Sequence, residues 1–230
     1  MCAALRGAME TGSLFSDLIE ITLRSVGVSL TAVIIASALA IPLGALLAIT
    51  RFRGRRLSVA ILNALMGLPP VVVGLVLYLL LSRSGPFGVL DLLFTPWAMI
   101  LAQIIIVLPL VASLAHQVIR DLWAEYRDLL LSLGASRRQR LSVLIWDARR
   151  SLLTATLAGF GRAIGEVGAI LIVGGNIDHL TRVLTTAITL ETSKGNLTFA
   201  VALGAVLVSI SLVVSVLLHT LSRAERTRPW

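Results

Sequence analysis

Five apolar runs, each long enough to cross a bilayer, limit what this chain can become. They cover about residues 26–49, 57–81, 96–119, 152–173 and 197–221, and about 20 apolar residues suffice to span the hydrocarbon. There every backbone N–H and C=O must find a partner within the protein, so such runs become helices. The expected fold is all-α and integral to the membrane, a single domain over residues 1–230 with five transmembrane helices. Of the 230 residues 57% are hydrophobic and 14% charged, more apolar surface than a soluble domain of this size hides.

The first run contains ASALA, small residues of the sort that precede leader cleavage. It is too long for a leader, and RFRGRR follows it directly, so it reads as a retained span. Met9 is an alternative start, and Cys2 has no apolar run before it to make it a lipid-attachment site.

Net charge is +8 and the sequence pI about 11.3. The excess lies in the connections between spans, as cytoplasmic loops require, and no RNA-binding signature accompanies it, so no nucleic-acid partner is expected. Fourteen arginines fall on one side, within 51–56, 120–150 and 223–228; the other side holds Arg6, Arg24, Arg83, Arg182 and Lys194. The arginine-rich side is expected to be cytoplasmic, which places the N-terminus outside and the C-terminus inside.

Pro42, the Pro69-Pro70 pair and Pro109 fall within spans. Each removes a helix hydrogen bond, and such positions serve either as pathway breaks or as packing features. Five spans are few to enclose a polar path, so a second copy of the chain is expected to complete it.

Between the third and fourth runs lies a basic amphipathic hairpin, residues 122–150. Leu122, Tyr126, Leu129, Leu130 and Leu133 form one helical stripe and Leu141, Leu144, Ile145 and Ala148 another, separated at Gly134. Two short helices are expected. They could lie on the anionic inner leaflet or fit a partner's groove; periodicity does not choose between these.

The stretch DLLLSLGASRRQRLSVLIWD resembles the EAA loop of ABC-importer permeases, the segment that couples a membrane subunit to its ATPase. Asp128 fills the acidic place and Gly134 the glycine, with Ala135 and Ser136 as the small pair after it. Leu129 and Leu130 replace the usual alanines, and Asp147 stands where proline is usual. The resemblance implies a type I importer permease fold in a prokaryotic inner membrane, with Asp128, Leu129, Leu130, Gly134, Ala135, Ser136 and Leu141 facing a cytoplasmic ATPase dimer. ATP and Mg would then sit on that partner. The chain's only lysine, Lys194, lies in SKGN and not in a phosphate-loop context, and no cofactor is expected here.

The fourth run reads LLTATLAGFGRAIGEVGAILIV. Arg162 and Glu166 are four apart, one turn on one face of a continuous helix. Both should point inward and pair, either to fix register or as a gate or pathway element; an arginine there also suits an anion. Gly161, Gly165 and Gly168 would let another helix approach.

Residues 174–196 form the expected external loop. Leu180, Val183, Leu184, Ala187 and Ile188 make an amphipathic stripe, with Asp178 as its expected N-terminal cap and Lys194 and Gly195 at its end. Asn176, Thr181, Arg182, Thr185 and Thr186 offer donors to an oxyanion or a binding protein. The run from Phe160 to Gly204, with EVGAILIVGGN and TRVLTTAITLETSKGN, resembles tungstate-type ABC permeases. That resemblance implies import of an oxyanion delivered by an extracytoplasmic binding protein, with molybdate and sulfate as the nearest rivals of tungstate. His116, His179 and His219 are scattered and make no metal set. An ATP-independent channel or secondary transporter would tolerate a bulky residue at Gly134, and a mere membrane anchor would tolerate two leucines for Arg162 and Glu166.

Overall fold

The computed structural model describes residues 2–50 and 52–226, and side chains over 15–50 and 52–220. The readings made at Cys2, Arg6, Met9, Arg51 and Arg223 to Arg228 fall outside those side chains. Among the described residues the regular structure is helical: α1 (Cys2–Ile49), α2 (Arg55–Met66), α3 (Pro70–Leu81), α4 (Pro96–Ser132), α5 (Arg137–Asp147), α6 (Arg149–Ile164), α7 (Gly168–Gly174), α8 (Leu184–Ser193) and α9 (Leu197–Arg226).

Among the described residues three stretches are long and apolar enough to cross a membrane alone: Phe15–Ile49, Pro96–Ser132 and Leu197–Thr220. The α2–α3 and α6–α7 pairs reach that standard only together, each across a short break. The count is thus three to five spans. The second and fourth runs, expected as single helices, are interrupted. Pro70 cannot donate to the preceding turn, and Pro69-Pro70 marks the first break; Pro42 and Pro109 remain inside continuous helices. The third run does not stop at residue 119 but continues to Ser132, so the expected first arm of the hairpin is the end of α4.

The chain forms two compact units. The first comprises Met1–Thr31, Pro70–Ala102 and Ile164–Leu212. Its core gathers Ile21, Leu184, Ala187 and Leu203. Within it α3 lies against α7 with almost no side chain between them. A Cβ on Gly74 would sit 2.7 Å from Ala169 Cα, and one on Gly168 would sit 2.6 Å from Val71 Cγ2. The approach expected at Gly168 is therefore real, whereas a Cβ on Gly161 would meet only Val214, at 4.0 Å.

The second unit comprises Ala32–Pro69, Gln103–Ala163 and Val213–Trp230. Its interior is built largely from alanine: Ala36, Ala40, Ala112 and Ala163 pack with Val33, Leu62, Val107 and Val111. Lipid tails are as apolar as leucine, so in a bilayer helices associate by close packing and hydrogen bonds. Ser113 accordingly donates to Asn63 Oδ1 at 2.7 Å. Arg55 closes the end of α1 with its Nε on Leu47 O, 2.7 Å, and Nη2 on Ala48 O, 3.2 Å. The α4 span is mostly buried. In contrast α9 exposes Val201, Val208, Leu212, Val213 and Val216 along its length, a surface suited to lipid.

The tightest crossing in the second unit is at Gly44, where an added Cβ would lie 2.4 Å from Ala112 O and 2.9 Å from His116 N. Both are backbone atoms on α4 and cannot rotate aside. Gly44→Ala is expected to destabilise the fold by about 1–3 kcal/mol in detergent unfolding. Gly27→Ala, with nothing within 4 Å, is expected to be neutral or slightly stabilising. Equal stability of the two variants would contradict this packing.

Candidate functional site

The hairpin turn is closed by hydrogen bonds that its residues dictate. At the end of α4 the amides of Gly134 and Ala135 donate to Leu131 O and Leu130 O, at 3.0 and 3.1 Å. This is the bond pattern of a glycine-terminated helix, and Gly134 has the required left-handed φ of +64°. Ser136 then starts α5 with a capping box: its amide donates to Gln139 Oε1 at 2.7 Å and its hydroxyl accepts from Gln139 N at 3.4 Å. Arg140 ties the two arms together, donating from Nε to Ala135 O at 2.7 Å and lying 6.0 Å from the Trp123 ring centre.

Of the seven expected coupling residues, three are packed on the hairpin's inner side. Leu130 is buried with Leu144, Ala148 and Leu152 against Ala45, Ala48, Ala115 and Ile119, and Ala135 and Leu141 pack on the same core. Leu130 and Leu141 thus pack inward, because their side of each helix faces α1 and the body of α4. Asp128, Leu129, Gly134 and Ser136 remain on the surface.

The outward apolar face has a different membership. Leu133 and Trp146 are each 71% exposed, and Leu129 and Val143 also face out. A groove of about 470 Å³ runs between the arms, lined by Tyr126, Leu129, Ser142, Val143, Trp146 and Asp147 among others. Arg149 lies 4.9 Å from the Trp146 ring centre and donates to Trp146 O at 2.7 Å. Val143 and Trp146, three apart and outside the Leu141–Leu144–Ile145–Ala148 stripe, were the available sign of a second face on α5.

Arg162 and Glu166 do not share one turn. Arg162 is in the last turn of α6, where its charge complements the helix dipole, and Glu166 lies in the break before α7. The glycine-flanked Gly165-Glu166 pair ends the helix that their spacing assumed. Glu166 is buried; its Oε1 accepts from Ala169 N at 3.3 Å, and Thr185 donates to its carbonyl at 2.8 Å. Its groups thus satisfy backbone at the break.

The 174–196 segment turns sharply at Gly175, Asn176 and His179, all with positive φ. Three of its expected surface donors are inside. Thr181 is fully buried, donating to Gly174 O at 2.6 Å and accepting from Ile177 N at 2.9 Å. Thr186 is also buried, bonding with both the amide and the carbonyl of Val183; Thr185 is the partner of Glu166. These threonines shape the loop, because its turns leave backbone groups that no helix satisfies. Asn176 is half-buried, with Nδ2 on Thr186 O at 3.4 Å. Asp178 does not cap α8, whose N-cap is Val183; it accepts from Arg182 Nη1 at 2.7 Å. Lys194 and Gly195 end α8 as expected, Gly195 with φ +78°.

This loop is pinned to the start of the first span. Arg24 Nη2 reaches His179 O at 2.7 Å and Glu20 Oε1 at 2.5 Å, and His179 Nδ1 lies 3.0 Å from Glu20 Oε2. The Glu20 carboxylate raises the His179 pKa above the ordinary imidazole value, chiefly through this hydrogen bond. Lys194, 2.9 Å from Glu191, likewise holds that carboxyl below its ordinary range. Together these groups surround a cavity of about 210 Å³. Among the described residues no three His, Cys, Asp or Glu are grouped to hold a metal.

Apolar spans, two of them broken, with a capped amphipathic hairpin between α4 and α6, define a multi-pass transport subunit. The chain belongs to the family described as binding-protein-dependent transport system inner membrane component, whose profile matches residues 40–227. It is a membrane-spanning permease of the ABC type. Among its relatives is the "Tungstate uptake system permease protein TupB" of Peptoclostridium acidaminophilum, 42% identical over 217 residues, 94% of this chain and 95% of that one. Another is the "Probable anion ABC transporter permease protein" of Haloferax volcanii, 42% identical over 205 residues, 87% of this chain and 88% of the other. A Campylobacter jejuni protein, also named "Tungstate uptake system permease protein TupB", is 38% identical over 172 residues, 75% of this chain and 72% of its own length.

Two outcomes follow. Thr181→Val keeps the shape but strands Ile177 N and Gly174 O, so a loss of about 1–3 kcal/mol is expected, with faster hydrogen exchange at the Ile177 amide. Unchanged exchange would return Thr181 to the role of surface donor. A folded-state pKa that is raised gives a contribution present in full at low pH and lost as pH rises through the raised value. Exchange in residues 176–182 should therefore quicken as pH rises through the elevated His179 pKa, beyond the intrinsic pH effect. His179→Gln should remove that excess, and a persistent excess would contradict the pairing.

Proposed function

We propose that this chain is the membrane subunit of an ATP-driven tungstate importer and works as a homodimer. An extracytoplasmic binding protein delivers the anion at the 174–196 loop, and two cytoplasmic ATPase subunits, which carry the ATP and Mg, engage the hairpins. One observation carries the substrate: the 42% identity over 94% of the chain to a protein named as a tungstate uptake permease. The rigid hairpin with an uncovered apolar face supports the coupling. In this reading Asp128, Leu129, Gly134 and Ser136 meet the ATPase together with Leu133, Val143 and Trp146. Leu130, Ala135 and Leu141 transmit the motion through their packing on α1 and α4.

The mechanism that follows is alternating access. ATP binding draws the ATPases together, the hairpins move with them, and the helices fixed to the hairpins open the outer gate. We place that gate at the α6–α7 break, with Arg162 in the turn before it and Glu166 within it in sequence, because an interrupted helix rearranges at less cost than a continuous one. Arg182 and Asn176 are the loop residues assigned to the binding-protein face. The anion is held weakly in the path, since a tight site would slow release.

Cells grown in trace tungstate with excess molybdate and sulfate test the reading. Deleting the gene should abolish tungsten accumulation, and the intact gene should restore it. Gly134→Trp and Trp146→Ser should reach the membrane in normal amounts but fail to restore it or to retain the ATPase on purification. Unchanged tungsten on deletion would overturn the substrate; full activity of both variants would overturn the coupling.

A further inference from the structure

A second groove lies on the other side of the hairpin, between the end of α1 and the first turn of α5. Its volume is about 610 Å³, within the range of seats for small molecules, about 300–1,000 Å³. Leu43, Leu46, Leu47 and Phe52 line one part and Arg137 and Arg140 another, and no carboxylate lines it. Phe52 and Leu43 are exposed although both are large and apolar. The groove is lined by the last turns of the first apolar span, so a lipid at the cytoplasmic edge of the bilayer would meet its greasy wall with an acyl chain and its cationic rim with the headgroup.

We infer that this groove is a seat for an anionic phospholipid, with the headgroup phosphate between Arg137 and Arg140 and the acyl chain along Leu43, Leu46 and Leu47. Charge selects this occupant. Two guanidiniums beside an apolar wall match a phosphodiester, which accepts the paired N–H donors that arginine presents. A second copy of the chain docked isologously through the same groove would set arginine against arginine. The two arginines also differ usefully. Arg140 is engaged with Ala135 O and stacked near Trp123, so it helps hold the hairpin. Arg137 takes part in no hydrogen bond or ion pair among the described residues and is free to turn to a phosphate. The consequence is a hairpin whose base is fixed to the bilayer while its opposite, apolar face stays open.

The test is native mass spectrometry of the full chain carried in mixed phosphatidylglycerol and phosphatidylcholine. Wild type should retain phosphatidylglycerol in preference to phosphatidylcholine. Arg137→Gln, which disturbs no internal contact, should lower that retention about fivefold, as removal of one arginine near an anionic surface predicts. Arg138→Gln, which does not line the groove, should leave retention unchanged. Equal retention of the two lipids, or undiminished retention by Arg137→Gln, would overturn the assignment. Displacement of the lipid by millimolar inorganic phosphate would show that the groove reads a free anion instead. Disulfide formation between two copies bearing Leu46→Cys would show that it is a subunit interface. Either result would also overturn the lipid seat.

Discussion

A buried break in a membrane helix leaves amide and carbonyl groups with no water to turn to, and the answer to that demand organises much of this protein. After Ile164 the chain leaves the helix, and the freed groups are met by Glu166 and Thr185. The carboxylate takes the Ala169 amide at the start of α7, and the Thr185 hydroxyl takes the Glu166 carbonyl. Thr185 can do so only because α8 is held in place by Ser25, which accepts from Leu184 N at 2.6 Å, and by the turn that Thr181 and Thr186 close. A polar residue that sequence alone offers to solvent is thus required inside. An unpaired amide in hydrocarbon would cost several kcal/mol, which outweighs any surface contact a threonine could make.

The second constraint is close approach. Gly44, Gly74 and Gly168 each stand where a methyl group would collide with a neighbouring helix. The alanine-rich interior of the second unit is consistent with the same principle. Such packing makes helices move as bodies. The hairpin is joined to this packing on its inner side through Leu130, Leu144 and Ala148, which seat it against α1 and α4. That is what a coupling element between an ATPase and a permease needs.

The sequence makes some of this legible and hides the rest for identifiable reasons. Apolar run length locates the membrane segments, because hydrocarbon thickness is a simple requirement. Gly134 and Ser136 announce the hairpin turn, since only glycine adopts its φ freely and the Ser136–Gln139 spacing is a helix start. Periodicity cannot tell which of two apolar faces is covered: its stripes hold buried Leu130 and Leu144 beside exposed Leu129 and Leu133, and they pass over Trp146 and Val143. The Arg162–Glu166 spacing presumes a helix that does not continue, whereas Pro69-Pro70 marks the break after Met66 in the sequence itself. The threonines of the 174–196 segment are polar by composition and buried by tertiary demand.

The central claim is that energy received at the hairpin moves tungstate. Proteoliposomes that contain this permease with its ATPase and binding protein test it directly. Tungstate uptake should require ATP, persist in excess molybdate and sulfate, and fall to background when Trp146 is replaced by serine. Uptake that proceeds without ATP, or sulfate carried as readily as tungstate, would contradict the account.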